Sequence, residues 1–175
     1  MENNSVIYET ARLYTREMTR TDLADLAEIL QDPEVMYAYE HAFTDEETHA
    51  WLDRQIERYN KHGFGLWAVI LKQTGETIGQ CGLTWQDVCG SEVLEIGYLL
   101  KKRFWHMGYA LEAAQGCKRY AFDKLGMREV YSIVRETNLA SMNVAIRNGM
   151  VIRNRFIKHY YGMDMPHYAL SIRND

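Results

Sequence analysis

EVLEIGYLLKKRFWHMGYALEAAQGCKRYA, residues 92–121, decides the fold. Its first nine residues, Glu92 to Leu100, alternate polar and apolar side chains and are rich in branched and aromatic types, the pattern of a strand with one buried face. From Trp105 the pattern changes. Gly108 and Ala110 lead into Ala113, Ala114, Cys117 and Ala121, which share one side of a helix. The stretch therefore predicts a strand, a basic turn and a helix that opens on glycine. The first turn of a helix has backbone N–H groups with no intrahelical partner, and these attract anionic groups such as phosphates. A side chain at position 108 would stand between those donors and a ligand. Lys101, Lys102 and Arg103, just upstream, are expected to add positive charge.

Two segments carry a family resemblance. Glu95-Ile96-Gly97-Tyr98, followed by Trp105-x-x-Gly108-Tyr109-Ala110 and Glu112-Ala113, resembles the acyl-CoA-binding motif of the GNAT superfamily of N-acetyltransferases, most closely its Rim-type branch of ribosomal-protein N-terminal acetyltransferases. His106 stands where Gly is common in that motif, and Met107 where a basic or amide residue is common. Downstream, Asn138, Ala140, Ser141, Arg147 and Gly149 match the Rim-like pattern of Asn, any residue, Ala and Ser, then a basic residue before Leu-Gly-Phe; Asn148 and Met150 replace the Leu and Phe. The resemblance covers nearly the whole chain. It implies an α+β GNAT acyl-CoA N-acyltransferase fold, with a mixed, mostly antiparallel central sheet splayed between the fourth and fifth strands and helices on both faces. It also implies acetyl-CoA as cosubstrate and no metal.

Composition sets the outer bounds. A chain of 175 residues, 47% hydrophobic, can bury one substantial core, so a single domain over residues 1–175 is expected. No run reaches the apolar length of a membrane span and the N-terminus lacks a signal pattern, which points to the cytoplasm and to no membrane partner. Cys81, Cys89 and Cys117 are widely spaced, without a C-x-x-C pair, and read as buried thiols rather than a disulfide framework or zinc site. A formal net charge of -4 disfavours nucleic acid as a partner and leaves an amine-bearing one open. Without a Gly-Lys-Ser/Thr loop, a phosphate-loop nucleotide hydrolase is disfavoured too. Monomer and homodimer are both compatible with the chain.

In chain order, Met1 to Thr10 reads as a loose lead-in and Arg12 to Met18 as a first strand. Thr21 can cap a helix whose Leu23, Leu26, Ala27 and Leu30 fall on one face, ending near Asp32-Pro33. Thr44-Asp45-Glu46-Glu47 fits a capping box opening a helix to about Lys61, with Trp51, Leu52, Ile56 and Tyr59 inward. Phe64 to Lys72 and Thr77 to Trp85 suit a hairpin, and Gly79 and Gly82 in its second strand mark a bulge or a close backbone approach. After the motif, Val130 to Arg135 predicts a strand parallel to Glu92 to Leu100, because a helix separates them. A short helix through Arg147 and a closing hairpin from Val151 complete the chain.

The resemblance assigns roles to particular positions. The backbone of Tyr98, Leu99 and Leu100 would pair with the pantetheine arm, and the turn of Arg103, Trp105, His106, Met107, Gly108, Tyr109 and Ala110 would take the pyrophosphate. Asn138 would hold the pantetheine end, with Ser141 and Asn143 near the thiol or arm; simple helix capping is the alternative for Asn138 and Ser141. Tyr37, Tyr39, Glu40 and His41 would line the acceptor side, or else form a packed corner. The implied reaction is direct attack of a neutral amine on the thioester, with the oxyanion steadied by a backbone N–H at the strand split. An α-amine, with a pKa of about 7.7 to 8.0, needs less help to lose its proton than a lysine amine near 10.4. Glu95 is the candidate base, against the alternative of an ion-paired strand carboxylate. Many superfamily members place a Tyr where Ala145 stands, so Ser141, a water, or Tyr131, Tyr160 or Tyr168 is left to act as the acid. A protein N-terminal α-amine is the family-implied acceptor. A small amine such as a polyamine, aminoglycoside or amino acid is the alternative, as is a non-catalytic acyl-CoA-binding module.

Overall fold

The computed structural model describes residues 5–39, 41–160 and 162–174. Its centre is strand β3 (Leu66–Leu71), LWAVIL, in which every residue is buried. Side chains alternate across a strand, so such a run requires cover on both faces. Trp67, Val69 and Leu71 enter one core with Ala113, Ala114, Cys117 and Ala121 of helix α3 (Tyr109–Asp123). Leu66, Ala68 and Ile70 enter a second core with Leu26, Ile29 and Leu30 of α1 (Leu23–Leu30) and Leu52 of α2 (Asp45–His62).

Around β3 lie β1 (Val6–Glu9), β2 (Leu13–Arg16), β4 (Thr77–Val88), β5 (Ser91–Leu100), β6 (Glu129–Arg135), β7 (Val151–Tyr160) and β8 (Met163–Arg173), with α4 (Leu139–Arg147) after β6. The eight strands form one sheet in the order β1-β2-β3-β4-β5-β6-β8-β7. Every pairing is antiparallel except β5 with β6. That one parallel pair follows from the α3 crossover, and it is also the weak seam: β5 and β6 register at a single point, Glu95 opposite Tyr131. The mixed, splayed sheet with helices on both faces is the expected architecture. Among the described residues no helix is long and apolar enough to cross a membrane.

The local signals explain most boundaries. Thr44 and Glu47 close the capping box reciprocally, at 3.2 and 2.8 Å, and α2 ends at Gly63 in the left-handed conformation (φ 76°). Gly82 is the expected close approach, since a Cβ there would collide with the Gly65 carbonyl. The register of β3 against β4 shifts between Val69 and Ile70, opposite Gly79, which is the expected bulge.

Three expectations change. The lead-in contains β1, a four-residue edge strand held to β2 and, through the Tyr8 hydroxyl donating to the Ala113 carbonyl at 2.9 Å, to α3. The split therefore falls between the fifth and sixth strands. The first helix is entered through a 3-10 turn capped by Thr19 rather than by Thr21. There Asp22, 3% exposed, is held by Arg16 at 2.7 and 2.8 Å. Finally, β4 and β5 run on past Trp85 and meet in the two-residue turn Cys89-Gly90, with φ of 53° and 83°. Positive φ at both central residues suits a tight hairpin.

Candidate active site

Where β5 and β6 part, a cleft of about 1350 Å³ opens. One wall is Glu95 to Leu100, the other Ser132 to Arg135, and the ends are closed by the starts of α3 and α4, by α2 and by β7. Beyond the Glu95–Tyr131 pair neither strand has the other as a partner, so their facing edges keep main-chain groups for an extended amide-bearing ligand.

One end of the cleft is built by α3. Its N-cap is Gly108, with φ 81° and no side-chain cap, whereas α2 and α4 begin on the side chains of Thr44 and Asn138. The N–H groups of the first turn are thus left toward the cleft, which Gly108, Tyr109, Ala110 and Leu111 line. His106 also has positive φ, 61°, which accounts for the frequency of Gly at that place in the motif. Arg12, which sequence reasoning did not single out, braces the loop from behind. Its Nη1 donates to the Met107 carbonyl at 3.0 Å, its Nε meets Glu112 at 2.6 Å, and its guanidinium lies 4.4 Å from the Tyr109 ring centroid. Glu112, a carboxylate in the first turn that would repel a phosphate, is thereby drawn away to Arg12 and to the Thr10 hydroxyl, 2.6 Å from it.

The basic turn does not supply the charge expected of it. Lys101 is 2% exposed and inserted against Asp25 at 2.6 Å and Glu28 at 2.7 Å; Lys102 is paired with Glu34, and Arg103 with Glu28 and Glu76. These three cations tie the turn to α1 and its surroundings. Arg103 and Met107 do not line the cleft, and neither does His41, which pairs with Glu47 at 3.0 Å. Glu40 lies outside the described residues.

At the next end, Asn138 caps α4 by accepting the Ser141 N–H at 3.1 Å, and its Oδ1 also accepts from the Tyr37 hydroxyl at 2.7 Å. Tyr37 comes from the 3-10 turn Tyr37–Tyr39 and reaches across to the cap of α4. Ser141 Oγ is 2.9 Å from the Tyr98 hydroxyl, which also reaches the Ser141 carbonyl at 3.2 Å. Asn143 and Trp105 line the same space, the latter fixed by its indole N–H donating to the Leu100 carbonyl at 3.0 Å. Ala145 points into the core, 1% exposed.

Glu95 sits at the fork itself. Burial pushes its carboxyl up to about 7, against the opposing pull of Lys158, the Ile133 N–H, the Thr84 hydroxyl and Arg58. The Ile133 N–H donates to Glu95 Oε1 at 3.3 Å, so the carboxylate takes one of the amides the split leaves without a strand partner. Tyr39 lines the same region, its hydroxyl pushed well up by burial and by Glu95 and Tyr160. Of the three tyrosines considered as the acid, Tyr160 lines the cleft and Tyr131 and Tyr168 do not. The Tyr160 hydroxyl lies 3.5 Å from Nε2 of His167, a ring whose Nδ1 meets the Met165 carbonyl at 2.8 Å and which burial keeps neutral. Arg54, Arg58, Lys158 and His167 were missed. The spacing of Trp51, Arg54 and Arg58, at i, i+3 and i+7, is the signal that could have found two of them.

This geometry fits a ligand with phosphates at one end and an amide arm leading to a reactive group beside Glu95. Residues 12–151 match the family model described as acetyltransferase (GNAT) domain. A Bacillus subtilis (strain 168) protein, YkkB, is 35% identical over 142 residues, which are 81% of this chain and 83% of the relative. The crystal structure of a GNAT-family acetyltransferase from Bacillus anthracis superposes with a TM-score of 0.81 at 23% identity, over 97% of this chain and 98% of that one. The ribosomal L7/L12 alpha-N-protein acetyltransferase RimL, in complex with coenzyme A, superposes with a TM-score of 0.77 at 16% identity, over 97% and 98%. The chain belongs to the GNAT family and is an acetyl-CoA-dependent acetyltransferase.

Proposed function

We propose that the protein moves the acetyl group of acetyl-CoA to a primary α-amine, with a protein N-terminus as the acceptor, as in the Rim-type branch. The observation that carries this reading is Glu95, a carboxyl raised to about 7 and set at the mouth of the split that would receive the pantetheine arm. The bound acetyl-CoA supplies the thioester. The first turn of α3 would hold its pyrophosphate, the open edge of Tyr98 to Leu100 its arm, and Asn138 and Ser141 the end of that arm.

Glu95, ionised above pH of about 7, takes the proton of the entering amine directly or through a water. That pKa is matched to an α-amine near 8 far better than to a lysine amine near 10.4, for which proton transfer to Glu95 is about three orders of magnitude uphill. Main-chain N–H groups at the fork polarise the thioester carbonyl. Tyr160, which lines the cleft, or Tyr98 through Ser141, would return a proton to the departing thiolate, which is a good enough leaving group to need little help.

The test is release of free thiol from acetyl-CoA with a panel of amines. Release that depends on α-amino peptides supports the reading. Release with polyamines or aminoglycosides but no peptide moves the acceptor to the small-amine class. Tight acetyl-CoA binding with no acceptor turned over refutes transfer to an amine.

A further inference from the structure

The cations of the basic turn lie outside the cleft, and those that line it beside Glu95 are held differently. The basic turn is tied to carboxylates, yet Arg54, Arg58 and Lys158 have no ion-pair partner among the described residues of a chain with net charge -4. All three line the cleft that contains Glu95, two from α2 and one from β7 on another wall. The two arginines are also held in place. Arg58 Nη1 donates to Gln55 Oε1 at 3.2 Å; Gln55 is 0% exposed and the same oxygen accepts the Leu66 N–H at 3.1 Å. The Arg54 guanidinium lies 5.4 Å from the Trp51 ring centroid. The other carboxylate facing this space, Asp87, is engaged by the Gly90 N–H at 3.1 Å. Arg58 and Thr84 are shared with a second cavity of about 510 Å³, which adds Lys61, His62 and Glu92 over Phe64, Leu83 and Trp85.

An amine arrives as a cation, and Arg54, Arg58 and Lys158 outnumber the carboxylates Glu95 and Asp87 in the cleft, so they favour an amine that brings negative charge of its own. We infer that the acceptor is an acidic α-amine, carrying a carboxylate on the same residue as the reacting nitrogen or on the next, bound through Arg54, Arg58 and Lys158. This rests on the acetyl-transfer reading above. Polycationic amines become the poorest acceptors. An acidic N-terminal segment would extend past Arg58 into the second cavity, while a free amino acid would use the cleft cations alone.

The experiment is thiol release by the full chain at about pH 8.5, where Glu95 is ionised. The acceptors are serine-led tripeptide amides continuing with two glutamates, two glutamines or two lysines, together with free glutamate and spermidine. The acidic peptide should exceed the lysine peptide in kcat/KM by about tenfold or more at low salt, and the gap should close as salt is added. Arg58→Gln and Lys158→Gln should each cut the ratio of acidic to glutamine peptide by about tenfold, whereas a purely structural role would lower both peptides together and leave the ratio standing. The acidic peptide outrunning glutamate identifies an N-terminal segment as the source of the carboxylate; the reverse identifies a free amino acid. Lysine peptide or spermidine turned over as well as the acidic peptide overturns the acidic acceptor and leaves acetyl transfer intact. No acceptor-dependent release with any amine overturns both.

Discussion

Replacing Glu95 with Gln removes a titrating carboxylate while keeping its size and an oxygen able to accept the Ile133 N–H. In the wild type the base exists only above its pKa. Because burial has raised that value, the active form is lost as pH falls through about 7 rather than through the ordinary carboxylate range. A positioned general base contributes about 10²- to 10⁴-fold. An α-amine is already roughly a tenth neutral at pH 7, so the loss should lie at the lower end, about 100-fold near pH 7.5, or about 2.7 kcal/mol of barrier. The residual rate should then follow the acceptor's own amine, near 8, so the gap narrows as pH rises further. The assay is thiol release at saturating acetyl-CoA across the pH range that spans both groups. A Glu95→Gln protein that keeps the inflection near 7, or a wild type with no inflection there, would refute the assignment.

Lys158→Met withdraws the strongest influence opposing burial at Glu95, so the inflection in kcat should move upward; a downward or absent shift counts against the pair. Gly108→Val forces a side chain into φ 81°, at a conformational cost of about 1–2 kcal/mol, with its Cβ against the Arg12 guanidinium that braces the loop, and should weaken coenzyme A binding at least tenfold by calorimetry as the turn shifts; equal affinity removes the phosphate site from this turn. Asn138→Ala should cost about 1 kcal/mol of stability through the lost cap and raise KM for acetyl-CoA more than KM for the acceptor, which steady-state kinetics separates. Lys101→Met leaves Asp25 without its partner and Glu28 with Arg103 alone, both partly solvated, and should destabilise by about 1–3 kcal/mol in denaturant unfolding while changing coenzyme A affinity little; a large loss of affinity would return the basic turn to the phosphates.

What could be read in advance, and what could not, divides by the range of the interaction. The motif strand, the helix that opens on Gly108 and the Thr44 capping box all announce themselves within a few residues, through periodicity and cap chemistry. The four residues of β1 alternate too little to signal a strand, and they become one by pairing with β2. The basic turn was misjudged because its partners, Asp25, Glu28, Glu34 and Glu76, are remote in sequence. Arg54 and Arg58 resemble the solvated face of any polar helix until α2 is laid across the fork. The split itself followed from family resemblance rather than from any local pattern, since a single registered pair between two strands has no signature in either one.

The contact between Glu95 and the Ile133 N–H gives the fork a clasp, and in the proposed reaction the same carboxylate would carry the proton. A charged acceptor holds an amide about twice as firmly as a neutral one. Each proton taken from the amine would therefore weaken the clasp between the two strands, and its release to solvent would restore it.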